Sequence, residues 1–405
     1  MVLVHLAVAL AAVVVVARAL RPVCRVVGQP VVVGDMVAGI LLGPSFLGAL
    51  APGAFAFLFP PLVVQPLGLL AQVGVVVYMC LVGVELDVAA LTRDLRPTLA
   101  VAMAGVIIPL ALGAAFPAWL DRRLVEWAAP DWQLAGFVGI ALAITAFPVL
   151  ARILEDAGLT TRPLGIRALG SAAVADVVVW SGLGVFAGVV ENRAGAAVAP
   201  ILATVFVVLM VVVVRPLVAR VAQWRGADGA SGIPLALGAL AVVAFAARGA
   251  GVHAIVGAFL LGVGVPAASP LAANLRMSLR APIEMALLPA FFAVSGLQTQ
   301  IGLVRGIDGW LACAAIIMVA TVGKLGATAV AARLAGGGWR ESLALGFLMN
   351  VRGLMLIVVL NVGLDLGLVS PTLYSMMVLM ALATTMMAGP ALRMLDVLKA
   401  RVSTT

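Results

Sequence analysis

The chain has 405 residues, 64% hydrophobic and 10% charged, with a formal net charge of +8. Soluble domains carry roughly 25% charged residues, so a water-soluble enzyme, a disordered tail and a nucleic-acid binder are excluded. At about 20 residues per crossing, the composition describes an all-α polytopic membrane protein.

Taken in chain order, uninterrupted apolar stretches predict thirteen transmembrane helices, near 2–20, 31–50, 64–85, 97–118, 132–151, 164–190, 198–219, 233–248, 252–270, 282–301, 309–332, 341–363 and 372–392. About a dozen residues follow the last span, so a single membrane domain over 1–405 without a soluble domain is expected. Cys24, Cys80 and Cys313 sit in or beside apolar runs at no metal-ligand spacing and read as small core hydrophobes.

Charge placement tests the count. With thirteen spans, 18 of the 25 Lys and Arg residues fall on the side that holds the C-terminus and five on the other. The remaining two, Lys324 and Arg352, lie inside spans. The positive-inside rule then puts the C-terminus in the cytoplasm and the N-terminus outside. Arg-over-Lys usage with abundant Ala, Val and Gly fits a bacterial inner membrane.

Two pairs of segments match at long separation. Leu81–Val88 follows the pattern of Val294–Ile301, with Gly83 on Gly296, and Val37–Gly43 parallels Val256–Gly262. Spans 2 and 3 thus fall on spans 9 and 10. An offset of seven is odd, so the second copy crosses the membrane in the opposite sense. Inverted repeats over approximately 1–190 and 233–392, joined by a linker helix at 198–219, are the architecture of secondary transporters, whose sites lie near the midplane.

Three charges are placed centrally in spans: Asp176, Lys324 and Arg352. Each costs about 2.5–3.5 kcal/mol at a helix centre on insertion scales, so unneeded ones are improbable. The bland alternative is that they pair only to hold helices together. Span 5 carries Thr145-Ala146-Phe147-Pro148, and Pro148 pushes Phe147 out of the helical region and frees carbonyls. Seven spans later, Asn350-Val351-Arg352-Gly353 marks a second break. Two crossing discontinuous helices would bring like half-helix ends together, with Arg352 placed to neutralise carbonyl ends.

Desolvation opposes ionisation of Asp176 and a nearby Lys324 ammonium favours it, so the carboxyl is suited to hold either a proton or a cation. A monovalent cation such as Na+ or K+ prefers oxygen ligands, here the Asp176 carboxylate, the Thr145 hydroxyl, freed carbonyls and water. Lys324 can pair with Asp176 as a built-in competitor. Competition for one site is sufficient for coupled exchange. No metal site beyond the transported cation, no cofactor and no enzyme motif is expected.

Seven segments carry a resemblance: GDMVAGILLGPSFLG (34–48), LVGVELD (81–87), ITAFPVLARILEDAGL (144–159), HAIVGAFLLGVGVP (253–266), LPAFFAVSGLQT (288–299), GKLGATAVAARLAG (323–336) and MNVRGLMLIVVLNVGLDLG (349–367). In this order they resemble the second branch of the monovalent cation:proton antiporters, the sodium/hydrogen exchanger domain. The resemblance makes Asp176 the ion-binding aspartate, puts Thr145 at the crossing of the first broken helix, makes Lys324 its basic partner and puts Arg352 in the second broken helix. It further implies a gliding core domain, a dimerisation domain and a homodimer. Where the family usually has Asp or Asn before the binding aspartate, this chain has Ala175.

Proton-coupled monovalent cation antiport is therefore the expected activity. Proton-driven export of an organic cation or secondary metabolite, and a non-transporting sensor or channel, are the alternatives. His5 and His253 read as packing or interfacial residues, Glu85 and Asp87 as a solvated cap, and Asp35 as a helix-start carboxylate.

Overall fold

The computed structural model describes residues 2–86, 89, 94–116, 130–190, 198–223, 232–297 and 300–395. Among the described residues the chain is helical throughout, with no strand. Ten helices among the described residues are long and apolar enough to cross a membrane. The other three predicted spans are the ninth, which is short, the twelfth, which is broken, and the tenth, whose helix carries Arg276, Arg280 and Glu284. The ninth is Ala254–Gly264, and the tenth is Pro270–Pro282 continued through a π-turn into Leu288–Leu297. The twelfth is broken into Trp339–Met349 and Leu354–Asp365.

Local chemistry sets the helix starts. Pro61, Pro163, Pro270 and Pro371 occupy first turns, where a missing N–H costs nothing. Ser269 and Ser370 cap the last two of these, accepting from the Ala272 and Leu373 N–H groups at 3.2 and 3.1 Å. Side chains such as Val212, Val242 and Phe245 point outward and exposed, as hydrocarbon solvent requires.

The helices pack as two bodies. One holds Leu95–Ala115, Asp131–Asp156, Pro163–Val190, Gly306–Leu334, the broken helix 339–365 and Pro371–Met394. The other holds Val2–Val27, Val31–Leu50, Pro61–Glu85, Pro200–Ala222, Gly232–Gly249, Ala254–Gly264 and the helix 270–297. Contacts across the seam join Phe147–Asp156 to Val31–Leu42 and Pro61–Glu85, Pro163–Val190 to Ala199–Leu209 and Ala254–Gly264, Pro371–Met394 to Val31–Leu42, and Leu354–Asp365 to Leu288–Leu297.

Within the second body the packing is crosswise, Val31–Leu42 on Leu288–Leu297 and Pro61–Glu85 on Ala254–Gly264. Both contacts are backbone-close. A Cβ built on Gly39 would lie 1.9 Å from the Ala293 carbonyl oxygen, and one on Gly262 would lie 2.0 Å from that of Cys80. The small-residue spacing thus serves helix approach. Asp87 and Gln298 lie outside the described residues.

Candidate functional site

The first break spans residues 144–146, between Asp131–Ala143 and Phe147–Asp156. This corrects the sequence expectation by one or two residues. Phe147 is the first residue of the second half-helix, and Pro148 sits beside it in the first turn, where its ring is tolerated. The second break spans 350–353. The two breaks join directly: the Ala146 N–H donates to the Val351 carbonyl at 2.9 Å, and the Thr145 hydroxyl donates to the Met349 carbonyl at 3.4 Å. Gly353 permits this approach, since a Cβ there would lie 2.7 Å from Cγ2 of Val149.

A break exposes the last carbonyls of the half-helix before it, the negative end of its dipole. Two buried cations meet that end. The Lys324 ammonium donates to the Ala143 carbonyl, and Arg352 Nη2 donates to the Leu142 carbonyl at 2.8 Å and to Ala320 at 3.2 Å. Lys324 and Arg352 are each 0% exposed. The Arg352 peptide is clamped by Thr385, whose hydroxyl receives its N–H at 3.2 Å and donates to its carbonyl. Arg352 Nη1 rests 2.8 Å from the Met380 sulfur.

Asp176 lies in Pro163–Val190, which packs against both halves of the first broken helix and against Trp339–Met349. It is 2% exposed, and its Oδ2 has no hydrogen-bond partner. Lys324 is within electrostatic reach of both Asp176 and Arg352. Among the described residues no ion pair within 4 Å joins Asp176 to Lys324, so the pairing expected from sequence is not the arrangement found. The ammonium is engaged by the helix end instead. Asn350, wholly buried, has no partner at either Oδ1 or Nδ2. Ala175 is buried at 1% exposure beside the aspartate and offers no ligand.

Several neighbours were not singled out by sequence. Thr385 could have been found from the Thr384-Thr385 pair in an otherwise apolar helix. Trp180, one helical turn after Asp176, stacks on His253 with ring centroids 4.5 Å apart. His253 also caps Ala254–Gly264, its Nδ1 accepting the Ile255 N–H at 3.3 Å, and His5 packs edge-on to Phe57 at 5.5 Å. Phe147 meets Phe259 across the seam at 4.8 Å. Asp35 is not at a helix start: it is the fifth residue of Val31–Leu42, buried, with Arg21 Nε 3.9 Å away. Glu85 is not a free cap, since Arg280 Nη1 donates to it at 2.9 Å.

Two helices broken at one depth, with two cations on the carbonyl end of the first and a buried carboxyl alongside, define a secondary transporter rather than an enzyme. The sodium/hydrogen exchanger transmembrane family profile matches residues 8–397. The chain belongs to that family. It is 35% identical over 368 residues to Na(+)/H(+) antiporter NhaS4 of Synechocystis, covering 89% of this chain and 90% of that one. It is 33% identical to Cation/H(+) antiporter 19 of Arabidopsis thaliana and 28% to K(+)/H(+) antiporter 1 of Saccharomyces cerevisiae, covering 93% and 89% of this chain but 48% and 43% of theirs. The fold is that of the sodium proton antiporter MjNhaP1 of Methanocaldococcus jannaschii, with a TM-score of 0.69 over 99% of both chains at 14% identity.

Proposed function

We propose that this multi-pass membrane protein exchanges a monovalent cation, Na+ or K+, for protons, both competing for Asp176. One observation carries the reading: a carboxyl sealed from bulk solvent keeps an oxygen with no hydrogen-bond partner beside the crossing of two broken helices. A buried acid without a donor binds either a proton or a cation to relieve its charge. Thr145 is the second ligand. Its proton is committed to Met349, which leaves its oxygen lone pairs to face a cation. Lys324 and Arg352 compensate the carbonyl ends, while Pro148, Asn350 and Gly353 keep the helices open.

The crosswise packing supports the inverted-repeat reading. A two-fold relation that maps spans 2 and 3 onto 9 and 10 turns each backbone-close contact into the other. In this reading the body of Asp176 moves and the remaining helices form a homodimer; Arg-over-Lys usage favours an inner membrane, and the charge asymmetry favours a cytoplasmic C-terminus. The names of the relatives, antiporters of Na+, K+ and unspecified cations, favour exchange of this class. Export of an organic cation is the second reading, favoured by the apolar Ala175 where the family has an acid or amide.

Proteoliposomes with an imposed pH gradient test both. Collapse of the gradient by Na+ or K+ in the wild type, absent in a folded Asp176→Asn variant, is the expected result. Collapse by organic cations alone would shift the assignment to the second reading.

A further inference from the structure

The two ends of the seam differ. At the end away from the C-terminus, a cavity of about 240 Å³ opens between the bodies, lined by Gln72, His253, Phe291, Met355 and Val358. At the other end, the void between Leu81, Val82, Ile283 and their charged neighbours is only about 10 Å³. A void needs roughly 10–15 Å³ to hold one water. Water therefore has room at the first site and none at the charged cluster, although a separate cavity of about 230 Å³ lies beside the cluster at the same end, between Gln29, Val31, Ile153, Asp156 and Arg393.

Ion pairs occupy the closed end, and they cross from body to body. Phe147–Asp156, the half-helix that continues directly from the break at Thr145, contributes Arg152 and Glu155. The opposing body contributes Tyr78 and Glu85 from Pro61–Glu85, and Arg280 and Glu284 from the helix 270–297. Arg152 Nη1 lies 3.3 Å from Glu284, Arg280 donates to Glu155, and the Tyr78 hydroxyl donates to Glu155 at 3.0 Å. Arg280 holds its own side together, through Glu284 at 2.7 Å and Glu85 at 2.9 Å. Arg152 does the same on the other face, through Glu155 and Asp156 at 3.2 Å each.

We infer that this cluster is the gate on the C-terminal side, a clasp of positioning residues that parts when the site turns to face that side and re-forms when it turns back. Every cross-seam bond ends on the half-helix whose first turn abuts the candidate site, so displacing that half-helix and opening the clasp are one motion. Alternating charge makes the clasp reversible. Each side keeps an internal partner for its arginine, so parting exchanges one set of ion pairs for water and leaves no buried charge alone. The inference rests on the antiport reading only for the direction of use; the clasp and the cavity are geometric.

Thiol accessibility tests it without requiring transport, in a background with Cys24, Cys80 and Cys313 replaced. Val82→Cys, one turn behind Glu85, is expected to react slowly with a membrane-impermeant thiol reagent supplied on the C-terminal side. Gln72→Cys is expected to react readily from the opposite side. Adding Glu284→Gln removes the Arg152 link and should speed labelling at Val82→Cys roughly five- to tenfold. Equal labelling with and without Glu284→Gln, in protein of unchanged thermal unfolding, overturns the gate and leaves the antiport reading intact. Should Glu284→Gln misfold, the pair Arg152→Cys with Glu284→Cys keeps the test open. Cross-linking it, in Gln72→Cys protein, with a short membrane-impermeant bis-thiosulfonate reagent supplied only on the C-terminal side is expected to lock the clasp shut and leave the Gln72→Cys thiol reactive from its own side. Loss of Gln72→Cys labelling on cross-linking refutes the gate. If the gradient assay shows no exchange while Glu284→Gln still accelerates labelling, the gate stands and the antiport reading falls.

Discussion

At the scale of single residues, the site divides its charges between two tasks. Lys324 and Arg352 are spent on backbone carbonyls, and Asp176 is left with an oxygen that nothing in the protein satisfies. This division predicts a contrast at Lys324. Lys324→Gln keeps a donor for the Ala143 carbonyl, whereas Lys324→Met leaves it unpaired, so the methionine variant should be the less stable by about 1–3 kcal/mol. Thermal unfolding in detergent reads the difference, and equal stabilities would mean that the carbonyl contact is idle. At Ala175, installing an acid restores the family's usual ligand. Ala175→Asp is expected to change the apparent cation affinity in the gradient assay while Asp176 is intact, and to give no cation response in the Asp176→Asn background.

At the scale of elements, the decisive features are interruptions and close approaches. Pro148 and the Asn350–Gly353 run announce both breaks in the sequence, because proline and glycine act on the backbone locally. The partners of the break were not legible to the same degree. That Lys324 would seek Ala143 rather than Asp176 depends on where the freed carbonyls point, and spacing along the chain carries no such direction. Nor could apolar run length tell a short helix such as Ala254–Gly264 from a full crossing, since both are uniformly hydrophobic. The glycine contacts give a sharp test. Gly262→Val places side-chain carbon against the Cys80 backbone, which cannot yield, so no monodisperse folded protein is expected on size-exclusion chromatography. Gly182→Ala, in the open helix Pro163–Val190 with nothing within 4 Å of the added carbon, should be neutral or slightly stabilising.

At the scale of the whole molecule, hydropathy and charge patterning were enough to predict an all-helical membrane body, and seven sequence segments carried its likeness to cation:proton antiporters. The division into two bodies came to the sequence only through that likeness, because which helices pack together is settled by side-chain fit across large separations. Orientation is open to direct measurement. Arg305→Cys and Arg333→Cys, both at exposed positions, should be labelled by an impermeant reagent from opposite faces, the first from outside and the second from the cytoplasm. Labelling of both from one face would reverse or undo the span count.

The unpartnered oxygen of Asp176 has a consequence for fidelity. A bare carboxylate at hydrocarbon depth loses its hydration and has no direct donor on that oxygen, the Lys324 ammonium near it being spent on the Ala143 carbonyl, so its charge is costly unless something positive accompanies it. In the proposed exchange, that cost of desolvation opposes an empty return trip. On the proposed reading, coupling would then follow from the membrane's refusal of an unaccompanied acid.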